Sequence, residues 1–262
     1  MATPEAFFRS LPPITRGWLV AALLATVLSE FKFVPAMKLV WIPELSLPPH
    51  WEVWRLLTSF VFMGGFGMSF VINLLMISQF CPQYENNPFS TTLGAYAGGT
   101  PDFAFALLFC GAVLLLLGTY LGLYVLGPSL IATIIYLWSK RNPNAPINLW
   151  GFRMMSRHLP WARLALAVLM GASPVEDLVG IAAGHVYYFL VEVLPARYEG
   201  RRFLNTPEWL IHLVDYVNDT NTFHQVPPPR RAGAEGARPG AAVIPPRGPG
   251  HNWGAGQRLG LD

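Results

Sequence analysis

Charge is scarce in this sequence. Of its 262 residues 13% are charged and 53% are hydrophobic, whereas a soluble domain carries about 25% charged residues. A hydrocarbon solvent explains the deficit, because ionised side chains are costly there. Cysteine is scarcer still. Cys81 and Cys110 are the whole complement, and both lie in or beside apolar stretches, which excludes a disulfide framework and a zinc ligand set. No P-loop is present, so the chain is not expected to hydrolyse ATP. No small-residue cleavage site follows the apolar run Gly17–Leu28; the chain continues Ser29-Glu30-Phe31-Lys32. That run therefore reads as a retained span rather than a signal peptide. No cofactor, metal or nucleic acid is expected.

What is present is apolar length. A span needs about 20 mostly apolar residues, and shorter segments are tolerated where the bilayer thins. Six candidates follow: Gly17–Val34, Leu56–Ile77, Phe103–Tyr120, Leu121–Trp138, Trp161–Ala172 and Asp177–Leu194. The third and fourth are nearly continuous, and Gly118 to Gly122 is the room for a turn. One helix over Phe103–Trp138 would far exceed a bilayer crossing, so a hairpin is the better reading.

The basic residues orient the bundle. With the N-terminus in the cytosol, Arg9, Arg16, Lys140, Arg141, Arg153, Arg157, Arg163 and the tail's basic residues face that side. Only Lys32, Lys38 and Arg55 face the other. By the positive-inside rule both termini are cytosolic. The loop Lys32–Arg55 holds Trp41, Trp51 and Trp54 among prolines and is expected to lie in the membrane–water interface. The polar Asn73, at membrane depth, is expected to bond an adjacent helix.

These features divide the chain into a cytosolic N-terminus (1–16), a six-span membrane domain (17–194), a juxtamembrane segment (195–224) and a tail (225–262). A short interfacial helix is expected in the juxtamembrane segment from Thr206, as N-cap, with Pro207 first in the helix. The tail is rich in Pro, Gly, Arg and Ala and is expected to be disordered. It ends in His251-Asn252-Trp253-Gly254-Ala255-Gly256-Gln257-Arg258-Leu259-Gly260. Trp and Arg are common interface anchors, and glycines let a backbone lie close to a partner.

That terminal segment resembles the SHP box, which docks onto the AAA+ segregase called valosin-containing protein. Other segments resemble the Derlin family in order along the chain: Trp54-Arg55-Leu56, Val71-Ile72-Asn73-Leu74, Ile135-Tyr136-Leu137-Trp138, Leu159-Pro160-Trp161, Gly180-Ile181-Ala182-Ala183-Gly184-His185 and Arg202-Phe203-Leu204-Asn205-Thr206-Pro207. The resemblance implies an all-α, six-span, rhomboid-like membrane bundle of the endoplasmic reticulum. It implies a role in endoplasmic-reticulum-associated degradation, in which misfolded clients are engaged and retrotranslocated to the cytosol. Asn252, Trp253, Gly254, Gly256, Arg258, Leu259 and Gly260 would bind the segregase. Trp54 and Arg55 would form the Trp-Arg motif, with Arg55 pairing loop carbonyls. Gly180 and Gly184 would form a small-xxx-small seam against the fourth span. Membrane lipids, a ubiquitin ligase complex and further copies of the chain are the other expected partners. Asn73, Thr58 and Ser69 are expected to make the interior more polar.

Rhomboid proteases pair a serine on the fourth span with a histidine on the sixth, and Ser129 with His185 is the tempting match, the basis of the alternative reading as an active intramembrane serine protease. Registering the family's glycines on Gly180 and Gly184 moves the histidine position to Asp177 and leaves His185 about two turns further along. Registering the fourth span on Tyr136-Leu137-Trp138 puts the nucleophile position at Gly127. Neither residue can do the chemistry, so a pseudoprotease is expected.

Overall fold

The structure is a computed structural model and describes residues 4–46, 50–86, 99–149, 151–197 and 204–219. The described residues belong to one compact unit, Met1–Phe223. Its helices are α1 (Pro4–Ser10), α2 (Pro13–Glu30), α3 (Pro43–Ser46), α4 (Arg55–Val61), α5 (Met68–Asn86), α6 (Thr100–Leu121), α7 (Gly127–Arg141), α8 (Leu159–Leu169), α9 (Pro174–Tyr188), α10 (Leu194–Arg197) and α11 (Glu208–Asp219). A π-helical turn, Phe189–Val193, links α9 to α10. Proline stands in the first turn of α2, α6, α7, α8 and α9, where its missing N–H would have had no partner anyway. Ser173 caps α9, its hydroxyl accepting from the Val175 amide at 3.3 Å.

Helix α7 is the axis of the bundle. Every residue from Gly127 to Ser139 is buried, and α4, α5, α6, α8 and α9 pack around it. Aromatic side chains fill the space between helices, as in Phe80 against Trp138 at 5.3 Å, Tyr84 against Phe103 at 5.5 Å and Phe109 against Tyr187 at 5.6 Å between ring centroids. Large apolar side chains face outward as well as inward, and several charged and polar side chains are buried. Leu116, Leu169 and Leu24 are 73%, 76% and 53% exposed, while Arg55, Asn73, Arg163 and Asp177 are at most 5% exposed.

By length and composition, one described helix, Thr100–Leu121, is long and apolar enough to cross a membrane. The expected second span is interrupted. Instead of a continuous Leu56–Ile77, α4 ends at Val61 and α5 begins at Met68. Gly64, Gly65 and Gly67 fall in the gap, and Gly64 takes φ +93°, a conformation that glycine adopts at little cost. The hairpin after α6 also sits later than expected. Helix α6 runs through Leu121, Gly122 caps it at φ +68°, and α7 starts only at Gly127.

Two further differences concern the polar segments. The loop between α7 and α8 contains an antiparallel pair, Pro146–Leu149 (β1) with Phe152–Met155 (β2), so the unit is not purely helical. Thr206 does not cap α11; its hydroxyl donates to Asp102 Oδ1 at the start of α6, and α11 begins at Glu208. The terminal motif at 251–260 and the rest of the tail lie outside the described residues.

Candidate functional site

The Gly180/Gly184 face of α9 lies directly on α7. A Cβ at Gly180 would stand 2.2 Å from the Ser129 carbonyl oxygen and 2.7 Å from Ala132 Cβ. At Gly184 it would meet Tyr136 Cδ1 at 3.0 Å and the Thr133 carbonyl oxygen at 3.2 Å. The helices are also tied by a hydrogen bond, with Thr133 Oγ1 donating to Gly180 O at 2.8 Å and to its own helix at Ser129 O at 3.0 Å. The spacing of four residues puts both glycines on one face, and the missing side chains permit the approach.

At the far end of this seam sits a buried ionic centre that sequence reasoning missed. Arg163, counted above among the cytosolic charges, is instead 5% exposed inside the bundle. From α8 its guanidinium reaches three other helices. It forms an ion pair with Asp177 of α9, donates to Asn73 Oδ1 of α5 at 3.2 Å and donates to the Pro128 carbonyl of α7 at 3.0 Å. Asn73 therefore does bond a neighbouring helix, and the partner is a charge. Asp177 occupies the first turn of α9, where the helix dipole favours an anion. Arg163 Nε and Asp177 Oδ2 have no hydrogen-bond partner.

The positions expected for a catalytic pair are occupied otherwise. A side chain at Gly127 would run into Met63 Sδ at 2.7 Å and the Phe60 and Phe62 carbonyl oxygens at 3.0 Å. Ser129 is fully buried and its hydroxyl has no partner. His185 is exposed, and its Nδ1 meets the Tyr136 hydroxyl at 2.7 Å. Tyr136 is about 10 Å along α7 from Ser129, since seven residues rise about 1.5 Å each.

Two other buried charges organise the ends of the bundle. Arg55 is 3% exposed. It pairs with Glu52 at 2.5 Å, donates to Val40 O at 3.0 Å and also donates to Met37 O. Its neighbour Trp54 is 50% exposed, as is most of Trp51, while Trp41 is buried and donates from Nε1 to Thr119 Oγ1 at 3.0 Å. Arg55 thus pins the loop before α4, and two of the loop's tryptophans face outward. Glu85 of α5, 1% exposed, accepts from the Ile14 amide at 3.0 Å, the Thr15 amide at 2.9 Å and the Thr15 hydroxyl at 2.8 Å. It caps α2 from another helix, satisfying amides that the first turn leaves unpaired.

Arg141 also withdraws from the loop, pairing with Glu192 of the π turn at 2.6 Å over the Tyr84 ring. Lys140 in the last turn of α7 and Arg153 and Arg157 in the loop after it remain exposed. Thr58 Oγ1 is buried without a partner. Ser69 is exposed, so it does not contribute to the interior. Among the described residues no cluster of three or more His, Cys, Asp or Glu could hold a metal ion.

The sequence is similar to known proteins over most of its length. A family model described as Der1-like matches residues 11–208. The chain is 38% identical over 217 residues to Derlin-1 of Arabidopsis thaliana, covering 82% of this chain and 78% of that one. It is 35% identical over 255 residues to Derlin-2.2 of Zea mays, covering 93% of this chain and 97% of that one. Derlin-1 of Oryza sativa subsp. japonica is 35% identical over 218 residues, 82% of this chain.

Proposed function

Because the chain belongs to the Der1-like family, we propose that it is a non-catalytic, multi-pass membrane component of endoplasmic-reticulum-associated degradation. It engages misfolded proteins and aids their passage to the cytosol. Six membrane spans carry it, with both termini cytosolic. The observations that support this reading are the apolar outer surface, with Leu24, Leu116 and Leu169 exposed, and the four-helix ionic centre within. Intramembrane charges that face a bundle interior and pair there are a mark of function in membranes.

Short helices supply the physical mechanism. Helix α8, whose Trp161 and Leu169 face outward, has 11 residues, which rise about 16 Å. A hydrocarbon core is about 30 Å thick. The bilayer thins around such a bundle, and a thinner barrier is easier for a polar polypeptide to cross. The interior polarity of Asn73, Arg163 and Asp177 lowers it further. Energy for extraction comes from the AAA+ segregase valosin-containing protein, recruited by Trp253, Arg258 and Leu259 with the intervening glycines. A ubiquitin ligase complex and further copies of the chain complete the assembly.

The tail carries the sharpest test. Trp253→Ala with Arg258→Ala is expected to abolish capture of purified segregase, because truncated anchors of this kind typically cost about 2 kcal/mol or more each. Membrane insertion should not change. Undiminished capture in a purified pull-down would remove the docking assignment.

The absence of catalysis is supported by the packed-shut Gly127 position and by His185 pairing with Tyr136 rather than Ser129. A serine-reactive phosphonate probe should leave the purified protein unlabelled. Labelling that Ser129→Ala removes would show a working nucleophile.

A further inference from the structure

We propose that the groove between α7, α8 and α9 binds one anionic phospholipid, its phosphate held by Lys140 and Arg157 and an acyl chain lying along α9. The cavity measures about 450 Å³. Lys140, Arg157 and His185 line it, and no carboxylate does. Lys140 stands 5.5 Å over the Tyr136 ring. Among the described residues neither Lys140 nor Arg157 has a carboxylate partner, unlike the buried Arg55, Arg141 and Arg163. His185 Nδ1 and the Tyr136 hydroxyl share a hydrogen bond at 2.7 Å, which leaves Nε2 for a ligand.

Most of the remaining lining is apolar. Leu178, Ile181 and Ala182 form one wall along α9, and Trp161 of α8 forms the other. Trp161 is 58% and Leu178 is 47% exposed, so the groove opens to the surroundings of the bundle. From Leu178 to His185 the wall runs about 10 Å along the helix. A small soluble anion needs the two cations but not the wall, and an apolar ligand needs the wall but not the cations. A phospholipid with a negative headgroup uses both, as basic pockets between spans on the cytosolic side do. The inference rests on the orientation proposed above, which puts the Lys140–Arg157 end at the cytosolic leaflet.

The test uses the full chain purified in a neutral detergent and titrated with dioctanoyl phosphatidic acid, followed by native mass spectrometry. Lys140→Gln with Arg157→Gln should weaken binding by about thirtyfold, the effect of two surface cations. Ala182→Trp should weaken it as well by filling the wall, at an unchanged melting temperature. Arg153→Gln, a basic residue outside the groove, should have no effect, and glycerol phosphate and dioctanoyl phosphatidylcholine should bind far more weakly. Unchanged binding in the double variant would overturn the site. Equal binding of glycerol phosphate would make it a free-anion site, and an equal loss with Arg153→Gln would make it diffuse charge; either overturns the lipid assignment. Orientation is read separately in microsomes. A glycosidase-sensitive shift that Asn218→Gln removes, at the sequon Asn218-Asp219-Thr220, would overturn the topology without touching the titration in detergent.

Discussion

Gly180→Ala is expected to lower the melting temperature of the purified protein nearly as far as Gly180→Val. The sequence alone ranks the two well apart, since a methyl is the smallest intrusion into a seam. The geometry narrows the gap. The first carbon added already stands 2.2 Å from the Ser129 carbonyl oxygen and 2.7 Å from Ala132 Cβ, and a backbone oxygen inside a helix cannot rotate aside. Overpacking typically costs about 1–3 kcal/mol, and alanine here should fall at the upper end. Separation of the helices would also break the Thr133 bond to Gly180 O, and lipid offers little hydrophobic drive to restore the contact. Gly184→Ala should be milder, because its Cβ would meet the Tyr136 ring edge at 3.0 Å and a backbone oxygen, that of Thr133, only at 3.2 Å, against 2.2 Å at Gly180. In cells, the Gly180 variants should still co-precipitate the segregase through the intact tail, yet leave clients long-lived. A Gly180→Ala protein with wild-type melting and wild-type client half-life would show that the seam is looser than its geometry.

Much of this architecture is legible in the residues. Gly180 and Gly184 announce their seam because four-residue spacing on a helix is a purely local property. Arg55 beside Trp54 is legible because a lone arginine between apolar runs must find acceptors, and the neighbouring loop is the nearest source. The apolar lengths place the ends of α2, α6, α7 and α9 within about six residues of their observed positions. The missing breaks have a local cause that hydropathy hides. Three glycines at 64, 65 and 67 sit among Phe and Met, so the stretch scores as continuous span while the backbone turns. The same effect delays the hairpin after α6, where Gly122 caps but the apolar Leu123–Leu126 still reads as helix.

The buried charges Glu85 and Arg163 are not legible, because their partners are distant in sequence. Glu85 caps a helix about seventy residues away, and nothing near Glu85 or Thr15 signals it. Arg163 follows a polar loop and is indistinguishable from a positive-inside residue until α8 is wound and Asp177 arrives from the next helix. Charges on opposite sides of a turn look like separate span ends in one dimension. In the bundle they are antiparallel neighbours.

That pair carries the second large effect. Arg163→Met or Asp177→Leu alone is expected to destabilise the bundle by about 3–5 kcal/mol, because each leaves an uncompensated charge where both residues are at most 5% exposed. The arginine should be the more damaging loss. Its removal also frees Asn73 Oδ1 and the Pro128 carbonyl, whereas losing Asp177 leaves those two bonds in place. Combining Arg163→Met with Asp177→Leu should recover most of the stability, since replacing both members of a buried pair with apolar residues of similar size is often neutral or better. The melting temperatures of the three variants in one detergent, read as a double-mutant cycle, give the coupling. Stability and function should then separate. The double variant keeps the fold but loses the polar centre that joins α5, α7, α8 and α9. If the centre serves only to hold helices together, the double variant turns clients over at the wild-type rate. If interior polarity eases the passage of client chains, it folds, recruits the segregase and still stalls them, and that combination is the expected result.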